Sequence, residues 1–190
     1  MKTLILILLS FLLINCSQDK LPLISQPSEQ ESQLVKQVGD SLAMKLLGSL
    51  KTELLKSIEE KGLAGSVSFC NLQAAELTAS VSPNIKRISA KVRNPKNKAS
   101  FSEQKALDFY FSQGDSIVPF FIQKIEQNNI RYFQYYKPLT IQPLCLNCHG
   151  SRENIPADVK QKLAELYPND NAINYKLDEL RGLVRVKVQL

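Results

Sequence analysis

Cys145-Leu146-Asn147-Cys148-His149 carries two of the four cysteines and the only histidine of this 190-residue chain. Two thiols separated by two residues and followed at once by an imidazole form the C-x-x-C-H pattern. One tight turn over this spacing sets both sulfurs against one edge of a porphyrin, and the histidine then lies under the iron. The pattern predicts one covalent haem c, held as thioethers by Cys145 and Cys148, with His149 as an axial iron ligand.

Around this motif the sequence predicts alternating helices and strands. The predicted elements are a long helix over 31–61, a helix over 66–79, a strand over 85–93, a helix over 100–112, strands over 117–126 and 130–137, a helix over 156–167 and a strand over 183–190. Gly62 ends the long helix, Ser100 and Glu103 form a capping box, and Asn128-Asn129 turns a hairpin. This order predicts an α+β fold, a small antiparallel sheet with flanking helices and a long N-terminal helix.

The long helix carries an apolar stripe, in which residues recur at spacings of three and four. The stripe consists of Leu34, Val35, Val38, Leu42, Leu46, Leu50, Leu54 and Ile58. Such a stripe usually packs in a core. Because this helix is long for so small a domain, a homodimer through it is a second expectation.

The N-terminus predicts export. A charged Lys2 precedes an apolar run over 4–14, which is too short to span a membrane and is typical of a signal peptide. The run ends at Cys16, as in bacterial lipoproteins, so we expect a signal peptide over 1–15 and lipidation of Cys16. Asn15 departs from the usual small residue before the cysteine, and an ordinary signal peptide is the alternative. A flexible tether over 16–30 and a domain over 31–190 would follow.

These features predict a bacterial protein on the periplasmic or cell-surface side, anchored to a membrane by its lipid. The formal charge is +6, and it becomes +5 when Lys2 is removed with the signal peptide. Such a mild excess is typical of attraction to anionic surfaces or acidic partners. The chain has no long basic run and its predicted anchor lies on the exported side, so we expect no nucleic-acid partner.

Elimination narrows the set of residues that could be the second axial iron ligand. Once Met1 leaves with the signal, Met44 is the one methionine, and Cys70 is the one thiol without another role. The helix over 66–79 would turn Cys70 inward. We favour Cys70, since thiolate is a strong ligand that favours ferric iron. Met44, a Lys or Tyr, water or no ligand stay open, and Cys70 could instead be a small buried hydrophobe.

Further residues are candidates to surround the haem. Four arginines could pair with its propionates: Arg87, Arg93, Arg152 and Arg181. A solvated surface charge is the commoner role of any one arginine, so the sequence selects none of them. The aromatics between Tyr132 and Tyr136 could line the haem face, although packing in the hairpin core is at least as common a role.

Several short motifs occur in one order from Cys70 to the last strand. They are Phe69-Cys70-Asn71, Arg87-Ile88-Ser89, Arg93-Asn94-Pro95-Lys96-Asn97, Tyr136-Lys137-Pro138-Leu139, Cys145-Leu146-Asn147-Cys148-His149-Gly150, Tyr167-Pro168-Asn169-Asp170-Asn171-Ala172 and Arg181-Gly182. In these the chain resembles a family of single-haem c-type proteins with a PAS-like fold, a domain of unknown function that occurs alone or ahead of histidine kinases and other signalling domains. The resemblance implies thioethers at Cys145 and Cys148, with His149 and Cys70 as axial ligands.

The chain departs from this family's pattern in two places. Asn174-Tyr175 stands where the family usually has Gly-Tyr, and Asp178-Glu179-Leu180 stands where a Gly-Asp precedes Arg-Gly. Asparagine tolerates a left-handed backbone nearly as well as glycine, so the turn at Asn174 is expected to persist. The second departure affects the loop before Arg181, not the haem motif.

The sequence leaves four candidate functions. We expect no catalysis other than electron transfer. A redox or gas sensor would use release of the thiolate ligand on reduction and would pass its signal to an unknown protein partner. A periplasmic electron-transfer cytochrome would keep six ligands in both oxidation states. A thiol oxidoreductase would use Cys145 and Cys148 as a redox pair, and a zinc site would combine them with Cys70 and His149. The sensor is favoured.

Overall fold

The structure is a computed structural model that describes residues 21–114 and 116–190. Its elements in chain order are β1 Leu23–Ser25, α1 Glu29–Leu72, α2 Ala74–Val81, β2 Ile85–Ile88, α3 Phe101–Ser112, β3 Phe121–Gln127, β4 Ile130–Thr140, α4 Leu146–His149, α5 Ala157–Leu166 and β5 Leu180–Val188. The predicted signal peptide over 1–15 and the predicted lipidation site Cys16 lie outside the described residues. No helix in the described part is long and apolar enough to cross a membrane.

Helix α1 is longer than predicted because it resumes after a kink. Gly62 has φ 69° and ψ 178° inside the helix, a backbone region that is essentially restricted to glycine. The sequence predicted that the helix ends at Gly62; helical backbone is interrupted there, but it resumes and continues to Leu72. The predicted separate helix over 66–79 is wrong, because its first part belongs to α1 and its remainder to α2.

The sheet has the strand order β1-β3-β4-β5-β2, and all neighbouring strands are antiparallel. β3 and β4 form the predicted hairpin. Asn128 and Asn129 turn it with left-handed φ angles of 52° and 61°, which asparagine adopts more readily than most residues. The α+β class, with an antiparallel sheet and a long N-terminal helix, is confirmed.

Two strands are shorter than predicted. β2 ends at Ile88, because the chain then turns and Ser89 bridges to Lys98. β3 begins at Phe121, after Pro119, and a proline cannot donate to a strand ladder. Both differences reflect backbone pairing that the alternation of side chains does not specify.

A short edge strand lies in the stretch predicted to be a tether. Leu23–Ser25 pair with residues 124–126 of β3, and α1 follows from a capping box between Ser28 and Glu31. The prediction of a flexible tether over 16–30 is therefore wrong from residue 23 onward. Strand pairing uses backbone groups, so the polar composition of this stretch did not reveal it.

The apolar stripe of α1 packs mainly on the sheet. Val35 and Leu46 are fully buried in a core with Tyr135 and Val186. Gly39 lies directly against the Tyr135 ring. A Cβ at this position would be 2.2 Å from the ring's Cγ, so only glycine fits without a shift. Other stripe residues remain at the surface, notably Leu34 and Val38.

Helix α3 covers the sheet with a second core, and the predicted capping box at its start is present. Glu103 is almost fully buried and accepts a hydrogen bond from the Ser100 backbone N–H at 2.8 Å. Its carboxylate also pairs with Lys86 at 2.7 Å and Arg185 at 3.0 Å. Burial alone would raise the pKa of Glu103, but these partners lower it overall.

Candidate functional site

The cysteine motif lies on short helical turns between β4 and α5. A 3₁₀ turn over Pro143–Cys145 leads directly into α4. Cys145 is the N-cap of α4, and Cys148 and His149 follow in its single turn. The compact turn expected from the spacing is therefore present, with regular helical backbone.

One cavity brings together all four residues that the sequence singled out: Cys70, Cys145, Cys148 and His149. The rest of its wall is largely apolar and includes Leu54 and Ile58 before the kink of α1 and Leu63 and Val67 after it. The kink lets both segments of α1 face the same cavity. Cys70 thus reaches the motif from an element that is distant in sequence.

The ring of His149 is oriented by a backbone carbonyl. Its Nδ1 lies 2.6 Å from the carbonyl oxygen of Ala172. A carbonyl can only accept a hydrogen bond, so Nδ1 carries the proton and Nε2 keeps a free lone pair. The ring also forms an edge-to-face contact with Tyr175, with ring centroids 6.3 Å apart. This is the arrangement in which a metal-ligating histidine presents Nε2 to a metal.

Arg93 clamps the motif to the loop that carries Ala172. Its guanidinium donates to the carbonyl oxygen of Cys148 at 2.6 Å and to that of Ala172 at 3.3 Å. It also pairs with the Asp170 carboxylate at 2.9 Å. Asp170 in turn accepts a hydrogen bond from the Ala172 backbone N–H at 2.8 Å. One side chain therefore fixes both the motif and the carbonyl that orients His149.

The turn at Asn174 holds the same loop from its other end. Asn174 has a left-handed φ of 60°, as the sequence predicted. Its backbone N–H donates to the carbonyl of Gly150 at 2.8 Å, and that of Tyr175 donates to the carbonyl of His149 at 3.0 Å. The substitution of asparagine for the family's usual glycine thus keeps the turn.

The electrostatics of the cavity keep His149, Cys148 and Cys70 uncharged in the protein alone. Burial, with Arg93 and Arg181 nearby, lowers the pKa of His149 well below its usual value, although the hydrogen bond to Ala172 opposes this. Burial raises the pKa of Cys148 to about 11, against the effect of Arg93. Burial also raises the pKa of the Cys70 thiol, again opposed by nearby arginines. The imidazole is therefore neutral and both thiols are protonated.

Some residues that the sequence considered lie elsewhere. Met44 is 56% exposed and does not line the cavity, so it is not placed to be the second ligand. Arg152 is exposed. Tyr135 and Tyr136 are buried in the cores over the sheet and do not line the cavity, so core packing is their role.

Two alternative chemistries find little support in this geometry. A redox cysteine pair needs a thiol of lowered pKa, whereas the pKa of Cys148 is raised to about 11. The paired strands are all antiparallel, so the βαβ setting of such a pair is missing from the described sheet. Within the described residues, no three His, Cys, Asp or Glu side chains converge closely enough to hold a metal ion, as a zinc site would require.

Comparison with known proteins decides the family. The family described as Tll0287-like matches residues 18–189. The chain belongs to the Tll0287-like family. Among solved structures, the crystal structure of the cyanobacterial haem protein Tll0287 matches with a TM-score of 0.56 and 21% sequence identity, covering 86% of this chain and 98% of that chain. At this identity the match shows a shared fold. No curated protein matches the chain.

The resemblance inferred from the sequence motifs is thus confirmed at the level of the Tll0287-like family. The residues of this member fit a c-type haem. Two thiols and an imidazole with a free Nε2 meet at one cavity with apolar walls, and another thiol faces the same space. Sequence reasoning missed the Ala172 carbonyl, because a backbone group has no sequence signature. Asp170 and Ala172 do fall within the motif that carried the resemblance.

Proposed function

We propose that this chain is a c-type haem protein with one covalent haem bound to Cys145 and Cys148 and ligated axially by His149. The observation that carries the proposal is the single apolar cavity shared by these three residues and Cys70. Two further points support it. The hydrogen bond to Ala172 leaves Nε2 of His149 free to ligate, and the cyanobacterial structure with the same fold is described as a haem protein.

Cys70 is the proposed second axial ligand. It lines the same cavity as His149 but belongs to the last turns of α1, whereas His149 ends α4. Among the other side chains considered, Met44 is exposed. Cysteine ligation agrees with the elimination made from the residue inventory and with the ligand set that the family resemblance implies.

The role we propose for this haem protein is that of a redox or gas sensor, not of an enzyme. Haem iron supplies one-electron redox chemistry and can bind a diatomic gas. The two proposed ligands belong to separate elements, so a change at Cys70 would act first on the end of α1, whereas His149 is held by the loop that Arg93 clamps. That end packs against α2 and α5, which gives a change at Cys70 a route to the surface and to a protein partner.

Electron transfer is the second candidate, and one observation favours it. Leu144 lines the cavity and is 37% exposed, so one edge of a bound group would lie near the surface. Short distance to a partner is what an electron-transfer protein needs. The two candidates differ in whether the ligands stay in place in both oxidation states.

An optical spectrum of the oxidised and reduced protein, together with a haem-stained denaturing gel, tests these proposals. A stained band that persists under denaturation is expected for covalent haem. A spectrum that shows changed axial ligation on reduction, or carbon monoxide binding in the reduced state, would support the sensor. Constant six-coordination and indifference to carbon monoxide would support electron transfer instead. An unstained band from a host that attaches haem would contradict haem binding.

We also propose export and lipid anchoring at Cys16, on the periplasmic or cell-surface side of a bacterial membrane. The support is the apolar run over 4–14 that ends at this cysteine. Radiolabelled palmitate should enter the wild-type protein and should not enter Cys16→Ser. Labelling of Cys16→Ser would contradict the proposal. So would a wild-type protein that carries no label and is found in the cytoplasm.

Two partner proposals accompany this one. We propose no nucleic-acid partner, on the basis of the mild charge. A homodimer through α1 remains a prediction, supported by Leu34 and Val38 at 54% and 41% exposure. Sedimentation of the wild type and of Leu34→Glu tests it, because an α1 dimer should dissociate in the variant while a monomeric wild type would contradict it.

A further inference from the structure

Arg87 and Arg181 both line a second cavity, which His149 shares with the proposed haem site. Arg87 is on β2 and Arg181 is on the adjacent strand β5. Both line a small cavity that His149 also lines. Cys145 and Cys148 do not line it. The two cavities therefore share His149, whereas the two motif cysteines line only the first.

Neither guanidinium has an anionic partner among residues 21–114 and 116–190. Arg87 donates to the carbonyl of Ala74 at 3.1 Å, and its Nε is buried without any hydrogen-bond partner. Arg181 donates to the Ser89 hydroxyl at 2.6 Å and to the carbonyl of Lys91 at 3.1 Å. All of these acceptors are neutral.

Two other arginines of the fold do have a carboxylate partner. Arg93 pairs with Asp170, and Arg185 pairs with Glu103. Burying a cation without an opposite charge is costly, and proteins normally pair such groups. Burial lowers the pKa of both Arg87 and Arg181, which reflects the same cost. Two half-buried cations on one cavity, neither of them in an ion pair with a carboxylate of the described residues, indicate a place for an oxyanion from outside the polypeptide.

We propose that Arg87 and Arg181 bind the propionate carboxylates of the haem; this rests on the proposed function and deepens it. A haem bears its two carboxylates on the half of the ring opposite the positions that become thioethers, and Cys145 and Cys148 are absent from the cavity of the two arginines. The planar guanidinium fork matches a carboxylate in geometry and charge.

The structure thereby selects two of the four arginines that the sequence offered. Arg93 is already committed to Asp170 and to the motif backbone. Arg152 is exposed and lies on a different cavity from the one that His149 lines. A free oxyanion such as phosphate shares the chemistry of a propionate, so the experiment must separate these two sources.

The test compares haem-loaded wild type with Arg87→Gln and Arg181→Gln, and Arg152→Gln is the matched control. The readouts are a haem-stained gel, the propionate bending band in the resonance Raman spectrum, and the reduction potential between about pH 5 and 8. Loss of an arginine should leave covalent haem in place and shift the propionate band. It should also make the potential lower and newly dependent on pH, because a buried carboxylate without its cation titrates at higher pH.

Each result separates the inference from the function on which it rests. Suppose that the haem-loaded Gln variants have the same propionate band and the same reduction potential as the wild type and the control. That result would overturn the inference and leave the proposal of haem binding intact. An unstained wild-type band would overturn the proposed function itself. If the Gln variants do not fold, Arg87→Lys and Arg181→Lys keep the charge without the fork, and an unshifted propionate band in both would equally overturn the inference.

Titration of the haem-loaded proteins with inorganic phosphate distinguishes the remaining source. If the propionates fill the site, phosphate should leave the wild-type Raman band and melting temperature unchanged. A phosphate-dependent stabilisation of the wild type that is lost in Arg87→Gln and Arg181→Gln would assign the site to a free oxyanion and would overturn the propionate assignment.

Discussion

His149 donates its Nδ1 hydrogen to the carbonyl oxygen of Ala172, 2.6 Å away. This bond selects the tautomer and fixes the ring, so Nε2 of the only histidine of the chain keeps its lone pair free for a metal. The carbonyl itself is held by Arg93 and Asp170. The placement of the ligand therefore depends on a loop more than twenty residues further along the chain.

Arg93→Gln should reduce the free energy of unfolding by about 2–4 kcal/mol, because it leaves the Asp170 carboxylate buried without its cation. Arg93 and Asp170 are 9% and 11% exposed. Urea unfolding of the haem-loaded protein measures the loss. Lys162→Gln is the control, since the more exposed Lys162–Glu165 pair should be worth less than about 1 kcal/mol. Equal small losses in both variants would contradict the clamp.

Cys70→Ala should move the ferric Soret band and raise the reduction potential, because it removes a thiolate that stabilises ferric iron. Optical spectroscopy and a potentiometric titration measure the two effects. Met44→Ala is the matched control, since this side chain is exposed and lies off the cavity, and it should leave both quantities unchanged. A Cys70→Ala spectrum identical to that of the wild type would remove Cys70 as the ligand.

Gly39→Ala should destabilise the fold by about 1–3 kcal/mol, because the added methyl overpacks the helix–sheet contact. The new Cβ would lie 2.2 Å from Cγ of the Tyr135 ring, so α1 must shift away from the sheet. Gly48→Ala tests the same change where a Cβ meets nothing within 4 Å. There the better helix propensity of alanine should raise stability by about 0.5–1 kcal/mol. Thermal unfolding of the two variants should thus move in opposite directions.

Asp40→Asn should remove a pH-dependent part of the stability. Partial burial opposes ionisation, but hydrogen bonds from Lys36, Tyr135 and Lys137 outweigh it and lower the pKa of Asp40 from 3.8 to about 2. A carboxyl whose pKa is depressed in the folded state stabilises it above the unfolded pKa, near 4, and loses this contribution as the pH falls towards 2.

The loss in Asp40→Asn should be about 1–2 kcal/mol at pH 7, since one pKa unit corresponds to about 1.4 kcal/mol and the carboxylate is partly solvated. The difference from wild type should shrink as the pH falls from 4 towards 2 and vanish at still lower pH. Chemical unfolding at several pH values measures it. Glu60→Gln, at an exposed position on the same helix, should change stability by less than about 0.5 kcal/mol at pH 7. A difference between Asp40→Asn and wild type that is as large at pH 2 as at pH 7 would contradict the assignment.

Local patterns predicted much of the fold because they act over a few residues. The capping box of Ser100 and Glu103 and the turn at Asn128 and Asn129 are present as expected. Gly62 was correctly identified as an interruption, but the resumption of α1 beyond it depends on packing against α5 and the motif. The strand at Leu23–Ser25 was missed because it is specified by an available sheet edge rather than by its own composition.

The sequence by itself determined the donor set of this protein, two spaced thiols with an adjacent imidazole and one spare cysteine, because side-chain type and short spacing are written in it directly. It also determined the α+β class and the family. Only the tertiary structure decided that Cys70 and not Met44 shares the cavity, that Ala172 orients His149, and which arginines lack a carboxylate. These features depend on burial and on contacts between segments that are distant in sequence. Burial sets the free-energy cost of an unpaired charge, and the distant contacts set the orientation of the His149 ring. Neither leaves a local pattern in the sequence.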